Sequence, residues 1–295
     1  MRFNLFASAM LIFAFVMSSC TSNNEKTIDF DKLERDLVTL AQDFRGDAGI
    51  YLKHIPTGRE ISVQGDTIFP TASMIKVPLM VRIAELVDQG ELRYDSLHTY
   101  EDRLYYPGVD IVAAMKEGEA ISLRKMVFLS QSFSDNTASL WMQELGGTGT
   151  KVNEAMERLG LEHTRVNSRT EGRQEDFRRY GWGQTTPREM ATLVEMIYNG
   201  EVINPERSEE MYRLMTKTLW DEAAIAEIPK TVTAASKQGS VSASKSEVVL
   251  VNAPAGDYVF TVITKNQEDR SSGIQNEGFE LIRSVSRVLW DALGE

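Results

Sequence analysis

The stretch PTASMIKVPLM, Pro70 to Met80, places a serine and a lysine at the head of an apolar helix. Ser73 and Lys76 are three positions apart, so they would share a helix face with their Cβ atoms about 5–6 Å apart. A hydroxyl in the first turn of a helix lies beside free backbone N–H groups, which can stabilise an oxyanion. Burial among apolar neighbours and the helix dipole both lower the pKa of a lysine. We therefore interpret Ser73 as a nucleophile and Lys76 as its general base.

The Ser-x-x-Lys spacing also occurs at Ser122 and Lys125 and at Ser242 and Lys245, so the spacing alone is a weak indication. At those two places we expect a serine cap and a solvated lysine. Only Ser73 opens an apolar helix that follows predicted strands.

Two further motifs follow along the chain. Ser134-Asp135-Asn136 lies in the segment QSFSDNTAS, and Lys237-Gln238-Gly239-Ser240 lies where a strand is predicted. The Ser-Asp-Asn tripeptide is rare by chance, whereas Lys-x-Gly is common and recurs at 116–118. The order of the three motifs therefore carries more weight than any one of them.

Hydrophobic periodicity predicts strands near both ends of the chain and helices between them. FDKLERDLVTLAQDF has helical spacing, GIYLKHI and REISVQG flank a turn at 56–58, SEVVLVNAPAGDYVFTVIT contains two strands, and FELIRSVSRVLWDAL is a closing amphipathic helix. In TTPREMATLVEMIYNG, Thr186 is the expected cap, Pro187 takes the first helical position and Glu189 completes a capping box.

The fold class that these elements predict is α/β of the α+β kind. One antiparallel sheet is built from both termini, with the end helices on its face. An all-helical subdomain, at about 80–228, is inserted into that α/β part, and residues 29–295 form the whole folded unit. Trp141 and Trp220 are expected in its core.

Composition excludes several functional classes. The chain has 295 residues, 42% hydrophobic and 25% charged, with a net charge of −11. An acidic chain without a basic run is a poor candidate for binding nucleic acid. His54, His98 and His163 lack ligand spacing, so we predict no metal and no cofactor. We expect a monomer.

The N-terminus resembles a bacterial lipoprotein signal. An apolar run and small residues precede Cys20, which is the only cysteine of the chain. Residues 1–19 would be cleaved, Cys20 lipidated, and residues 20–28 would form a tether. The predicted location is the cell envelope, facing the periplasm. A plain signal peptide cut nearby is the alternative, because Met17 departs from the usual pattern.

The three motifs in this order resemble those of class A β-lactamases and penicillin-binding proteins. FPTASMIKVPLMVRIAELVDQGEL and LSQSFSDNTASLWMQELGG are similar to that family, and the resemblance covers most of the chain from Asp47 onward. It implies an α/β sheet domain and a helical domain with the site between them.

The resemblance also implies a role for each motif residue. Ser73 would be acylated, and Lys76 would be its base or a proton relay. Ser134 would pass a proton to the leaving nitrogen, Asn136 would hold the substrate's side-chain amide, and Lys237 would attract its carboxylate. The backbone N–H groups of Ser73 and Ser240 would form the oxyanion hole, beside Gly239. Tyr105 and Tyr106 would wall the cleft, or pack as loop aromatics.

Two departures from the family pattern bear on function. Gln238 stands where the family has Thr or Ser, so carboxylate recognition is expected to shift or weaken. In the loop SRTEGRQEDFRRYGWGQTTP, Glu171 is the first candidate for the base that hydrolyses the acyl-enzyme and Glu175 the second. The alternative is a solvated loop with Glu171 on its surface.

The leading hypothesis is a class A-like serine β-lactamase that hydrolyses the β-lactam amide through an acyl-enzyme on Ser73. The second is a D-alanyl-D-alanine peptidase or penicillin-binding serine hydrolase that acts on peptidoglycan peptides. The third is a non-catalytic envelope lipoprotein that uses the fold for binding.

Overall fold

The computed structural model describes residues 28–108 and 110–295. The predicted signal peptide and Cys20 lie outside these residues. Within the described part, no helix is both long enough and apolar enough to cross a membrane. The α-helices of the described part are α1 (Phe30–Gln42), α2 (Lys76–Asp88), α3 (Leu123–Phe128), α4 (Asn136–Leu145), α5 (Thr148–Arg158), α6 (Gln174–Tyr180), α7 (Pro187–Tyr198), α8 (Pro205–Met215) and α9 (Glu277–Leu293).

The strands form one large sheet and two small ones. In chain order they are β1 (Asp47–His54), β2 (Arg59–Val63), β3 (Phe69–Pro70), β4 (Leu97–Thr99), β5 (Ala120–Ser122), β6 (Arg165–Val166), β7 (Gly183–Thr185), β8 (Ala234–Val241), β9 (Ser244–Val251) and β10 (Tyr258–Lys265). The large sheet has the order β2-β1-β10-β9-β8 with every pairing antiparallel. This is the predicted sheet, built from the two ends of the chain.

Both faces of the large sheet are covered, and alternate residues of its strands enter two separate apolar cores. Val249 and Phe260 face a core that α1 and α9 close. Val248 and Val259 face the larger core, which extends between α2, α4, α7 and α8. The fold class is therefore as predicted, and the end helices lie on one face of the sheet.

The local predictions for the two ends of the chain are confirmed. The helix predicted over 30–44, which ends at Gln42, the hairpin β1–β2, the pair β9–β10 and the closing helix α9 all form.

The predicted start of α7 is also confirmed. Thr186 caps α7, since its hydroxyl accepts the N–H of Glu189 at 3.1 Å, and Pro187 takes the first helical position.

The predicted capping box of α7 is only half formed. The carboxylate of Glu189 accepts the backbone N–H of His163 at 2.9 Å and the hydroxyl of Thr164 at 2.7 Å. It ties the segment before β6 to α7 and does not bond back to the cap. The reason is tertiary: a neighbouring segment brings donors that local spacing does not reveal.

Of the two other Ser-x-x-Lys pairs, only one behaves as expected. Ser122 caps α3 and Lys125 is exposed. Ser242 and Lys245 lie on the β8–β9 hairpin, and Lys245 is buried with Nζ donating to the carbonyl of Val241 at 2.7 Å. The expectation of a solvated lysine is wrong there, because Lys245 belongs to a central strand.

Candidate active site

Ser73 lies in a tight 3₁₀ turn, Ala72–Ile75, that leads into α2. The sequence predicts Ser73 in the first α-helical turn, but α2 begins only at Lys76. The turn keeps the two side chains on one side, because residues three apart eclipse in a 3₁₀ helix. Ser73 is half-buried and Lys76 is fully buried.

Two glycines on strands that neighbour this turn lie close to it. A Cβ on Gly239 of β8 would lie 2.8 Å from the backbone nitrogen of Ser73 and 2.7 Å from the carbonyl oxygen of Thr71. A Cβ on Gly183 of β7 would lie 2.5 Å from the side chain of Ile75. The absence of these side chains lets two strands approach the nucleophile closely, so the Lys-x-Gly motif has a steric reason for its glycine.

Two residues of the site have left-handed backbone conformations, which are uncommon outside glycine. Ala72, directly before Ser73, has φ +44°, and Ser134 has φ +60°. Ser134 follows a π-helical turn, Leu129–Phe133, and π turns occur frequently at functional sites. Each such conformation costs on the order of 1–3 kcal/mol and persists because the surrounding contacts fix it.

The side-chain nitrogen of Lys76, in the first motif, contacts two residues of the second motif. Its Nζ donates to the hydroxyl of Ser134 at 3.0 Å and to Oδ1 of Asn136 at 2.8 Å. Burial holds the pKa of Lys76 well below its ordinary value, and the positive charge of Lys237 lowers it further. Both directions match the expectation from sequence. A lowered pKa increases the neutral fraction of a lysine at a given pH, and the neutral form can accept a proton.

Lys237 brings the third motif to the same hydroxyl. Its Nζ donates to Oγ of Ser134 at 3.0 Å and to the carbonyl of Gln238 at 2.9 Å. Burial lowers the pKa of Lys237 to about 7, against the opposing charge of Glu247. Ser134 is thus in contact with both lysines, which is the position that a proton relay requires.

Behind β8 lies a fully buried carboxylate that the sequence motifs do not include. Glu247 on β9 accepts the hydroxyl of Ser236 at 2.6 Å and the backbone N–H of Ala224 at 2.9 Å. Burial raises the pKa of Glu247 to about 7. This group adjusts the electrostatics around Lys237 without reaching the cleft.

The cleft at Ser73 has two halves. The first, which we call the Trp182 cavity, has a volume of about 540 Å³ and is lined by Tyr106, Arg179, Tyr180, Trp182 and Lys265, among others. The second, the Trp220 cavity, has a volume of about 600 Å³ and is lined by Ser134, Asp110, Trp220, Glu222 and Gln238, among others. Ser73, Asn136 and Ser240 line both cavities, so the nucleophile stands between them.

Gln238 lines the Trp220 cavity, and its side-chain nitrogen is buried without a partner among the described residues. The residue is 7% exposed, and the unpartnered atom is its Nε2. An unpaired buried amide is costly, so a ligand that accepts a hydrogen bond there would relieve the cost. The substitution of Gln for Thr or Ser leaves a donor at this place.

Glu171 and Glu175, the two candidates for the hydrolytic base, are both exposed. Glu171 lies in the turn before α6, and Glu175 lies in the first turn of α6. Neither lines the two cavities. The structure therefore brings together the first, second and third motifs, but it does not bring Glu171 to them.

Trp182 occupies the side of the site next to Lys76. Its ring lies 5.9 Å from Nζ of Lys76 and packs edge-on against Tyr106, with the ring centroids 5.0 Å apart. The sequence indicated only a glycine-rich segment here. The signal that could have marked Trp182 is a large aromatic residue between two glycines, Gly181 and Gly183, in a segment whose pattern predicts neither a helix nor a strand to pack it.

Trp220 and Asp110 are two further cleft residues that sequence reasoning missed. Both Trp141 and Trp220 were expected in the core. Trp141 is buried as expected, but Trp220 is not. The structure places Trp220 at 38% exposure, with its indole N–H donating to the carbonyl of Phe133 at 3.0 Å. Asp110 accepts the backbone N–H of Thr137 at 2.9 Å and lines the Trp220 cavity. Trp220 lies beyond the last helix of its region, so no periodic pattern fixed its place.

This arrangement is suited to acyl transfer. It contains a half-buried hydroxyl, a buried lysine of lowered pKa three residues further along the chain, a second hydroxyl between two lysines, and backbone N–H groups at the head of a tight turn. These are the parts that attack on a carbonyl requires.

Comparison with known proteins gives consistent matches. A family model described as the β-lactamase enzyme family matches residues 32–293. A β-lactamase of Bacillus licheniformis is 22% identical over 308 residues, which cover 97% of this chain and 94% of the relative. The crystal structure of a β-lactamase from Sphaerobacter thermophilus DSM 20745 matches with a TM-score of 0.80 at 24% identity, covering 90% of this chain and 98% of that one.

A second solved structure is similar at a higher identity. PBP-A matches with a TM-score of 0.79 at 27% identity, covering 88% of this chain and 95% of that chain. A mutant of PBP-A is known as an acyl-enzyme complex with penicillin G.

Proposed function

The chain belongs to the β-lactamase enzyme family and is a serine hydrolase, and from that premise we propose that it reacts with β-lactams by class A-like acylation of Ser73 and hydrolyses the ester slowly. The observation that carries the proposal is the contact of Ser134 with both Lys76 and Lys237, each at 3.0 Å. A serine that only caps a helix does not require contact with two buried lysines.

In the proposed acylation, neutral Lys76 accepts the proton of Ser73 as Oγ attacks the β-lactam carbonyl carbon. The backbone N–H groups of Ser73 and Ser240 stabilise the oxyanion. The C–N bond then breaks, the nitrogen takes the hydroxyl proton of Ser134, and Lys76 returns its proton to Ser134. The product is an ester on Ser73.

Slow hydrolysis is proposed because water must attack that ester with help from a base. Of the described residues that line the Trp182 cavity, none is a carboxylate, and the ring of Trp182 occupies the side next to Lys76. The Trp220 cavity has three carboxylates, those of Asp110, Asp135 and Glu222, but it lies on the side of Ser134, which serves the leaving nitrogen. Asp110 and Asp135 already accept hydrogen bonds from backbone N–H groups. The likeness to PBP-A, a mutant of which is known as an acyl-enzyme complex with penicillin G, supports the acylation step.

Rapid hydrolysis, as in a class A β-lactamase, is the second candidate. It is favoured by the curated relatives, which are named β-lactamases. It requires Glu171 or Glu175 to leave the surface and reach the acyl-enzyme. If the first candidate, acylation with slow hydrolysis, is correct, the natural substrates would be peptidoglycan peptides.

The two candidates differ in their time course. With excess penicillin, slow deacylation gives a burst in which about one equivalent of β-lactam ring is opened, followed by a much slower steady rate of ring opening. Rapid hydrolysis gives a linear trace without a burst. Stopped-flow absorbance on the protein from residue 28 onward distinguishes them, and Ser73→Ala serves as the blank.

For the N-terminus we propose lipidation of Cys20 and attachment to the cell envelope on the periplasmic side, as a monomer. The motif around Cys20 supports this proposal. The test is fractionation of the full chain and of Cys20→Ser. The proposal requires the parent in the membrane fraction and the variant in the soluble one.

A further inference from the structure

We infer that the Trp182 cavity selects acyl donors whose acyl side chain carries an anionic group beside an aromatic one. The inference rests on the proposed function, because it uses the polarity of the acylation reaction to say which part of the substrate enters which cavity.

The assignment of the two cavities follows from the proton relay. Ser134 serves the leaving nitrogen, and it lines the Trp220 cavity together with Gln238. The leaving half of the substrate therefore occupies that side. Ser73 lies between the cavities, so the acyl side chain extends into the Trp182 cavity on the other side.

Two cations line the Trp182 cavity, and within the described chain neither forms an ion pair. Arg179, which is exposed, lies with its guanidinium carbon 5.0 Å from the ring centroid of Tyr180. Lys265 donates to the carbonyl of Ile68 at 3.0 Å. Asp47 stands opposite Lys265 in the β1–β10 register, but its carboxylate accepts the amide of Asn266 at 2.7 Å.

The charges of the two cavities differ in sign. The described lining of the Trp182 cavity includes no carboxylate, whereas Asp110, Asp135 and Glu222 line the Trp220 cavity. The chain as a whole has a net charge of −11, so its overall field repels anions. The charged side chains in the described lining of the Trp182 cavity are both positive, in contrast to the negative charge of the chain as a whole. This cavity therefore favours an anionic substituent at its end of the cleft.

Three aromatic rings form another part of the lining of the Trp182 cavity. Tyr106 and Trp182 pack edge-on, and Tyr180 lies next to Arg179. Aromatic side chains offer flat apolar surface to an aryl group, while the cations beside them pair with an acidic substituent. The chemistry of the cavity therefore matches an aryl group with an adjacent carboxylate.

A matched set of three penicillins tests this inference. Benzylpenicillin, carbenicillin and ampicillin differ at the benzylic carbon, which bears hydrogen, a carboxylate or an amino group. We expect the second-order rate constant for acylation to be about three-fold to ten-fold larger for carbenicillin than for benzylpenicillin, since exposed ion pairs are worth a modest amount each. Ampicillin, protonated at mildly acidic pH, should be the slowest, and added salt should reduce the differences.

Arg179→Gln is the informative variant, and Arg178→Gln is its matched control. The two arginines are neighbours on α6 and both are exposed, but only Arg179 lines the cavity. We expect the ratio of the carbenicillin rate to the benzylpenicillin rate to fall toward one in Arg179→Gln and to keep its parental value in Arg178→Gln.

The outcomes separate this inference from the proposed function. If all three penicillins acylate Ser73 at equal rates, or if both arginine variants change the ratio equally, the proposed function stands and the inference is overturned. If none of the penicillins labels Ser73, the proposed function fails and the inference fails with it.

Discussion

In the proposed acylation, activation of Ser73 depends on Lys76. It is fully buried, its pKa is lowered, and its Nζ donates hydrogen bonds to both Ser134 and Asn136. Replacement by Met fills a similar volume and removes the base. We expect Lys76→Met to lower the rate constant of acylation about 10²- to 10⁴-fold, the range typical of a lost general base.

The chain offers a matched control for this substitution. Lys125 stands in the same Ser-x-x-Lys spacing, but it is exposed on α3. Lys125→Met should acylate at the parental rate. Equal losses in the two variants would contradict the role of Lys76, and circular dichroism would verify that both are folded.

Glu171 gives the second prediction at the scale of a single residue. Its carboxylate is exposed and lines neither cavity. We expect Glu171→Gln to change the half-life of the acyl-enzyme less than about two-fold, because a surface substitution away from the reacting atoms has little effect. The half-life is read by mass spectrometry after excess penicillin is removed. A ten-fold longer half-life would mean that Glu171 reaches the ester.

At the scale of elements, the 3₁₀ turn of Ser73 depends on its close contact with β8. A methyl group on Gly239 would overlap the backbone at Ser73 and Thr71. We expect Gly239→Ala to lower the free energy of unfolding by about 1–3 kcal/mol and to slow acylation, since overpacking shifts the backbone. Gly273→Ala is the control, because a Cβ there meets no atom within 4 Å. Unchanged acylation in Gly239→Ala would show that the turn tolerates displacement.

The elements that local patterns define were predictable from sequence. The helix of Thr186 and Pro187 carries its start signals in consecutive residues, and β9 and β10 carry apolar runs around a turn. That the three motifs lie together was predictable from their order, and Lys76, Ser134 and Lys237 are in contact in the fold. Local chemistry also gave the correct direction for the pKa of Lys76, because its apolar neighbours are adjacent in the chain.

What sequence reasoning missed depends on contacts between distant segments. Glu189 was assigned to its own helix cap, but it binds the segment before β6 instead. Trp182 was hidden in a loop, and its place beside Lys76 follows from the pairing of β7 with β3 and β6. Glu247 reads as one polar residue in an apolar strand, and only the fold shows that it lies behind Lys237.

At the scale of the whole molecule, the buried carboxylate of Glu247 makes stability depend on pH. Its pKa is raised from 4.5 to about 7, so the folded state holds this proton more tightly than the unfolded state. The stability gained is fully present below the unfolded pKa and is lost as pH rises through about 7. Between pH 4.5 and about pH 7 this loss of stability amounts to about 3 kcal/mol.

Glu247→Gln should abolish this dependence. We expect the unfolding free energy of the variant relative to the parent to rise between pH 5 and pH 8 by up to about 3 kcal/mol, measured by urea denaturation. Glu34→Gln is the control, since Glu34 is exposed on α1. A constant difference across this pH range would contradict the raised pKa of Glu247.

The central claim is that a β-lactam forms a lasting ester on Ser73. The most direct test is mass spectrometry of the intact protein mixed with benzylpenicillin, followed in time and then by peptide mapping. The account predicts a single adduct on the peptide that contains Ser73, present after free penicillin is removed, and absent in Ser73→Ala. An adduct on any other residue, an equal adduct on Ser73→Ala, or the absence of an adduct once free penicillin is removed would contradict it.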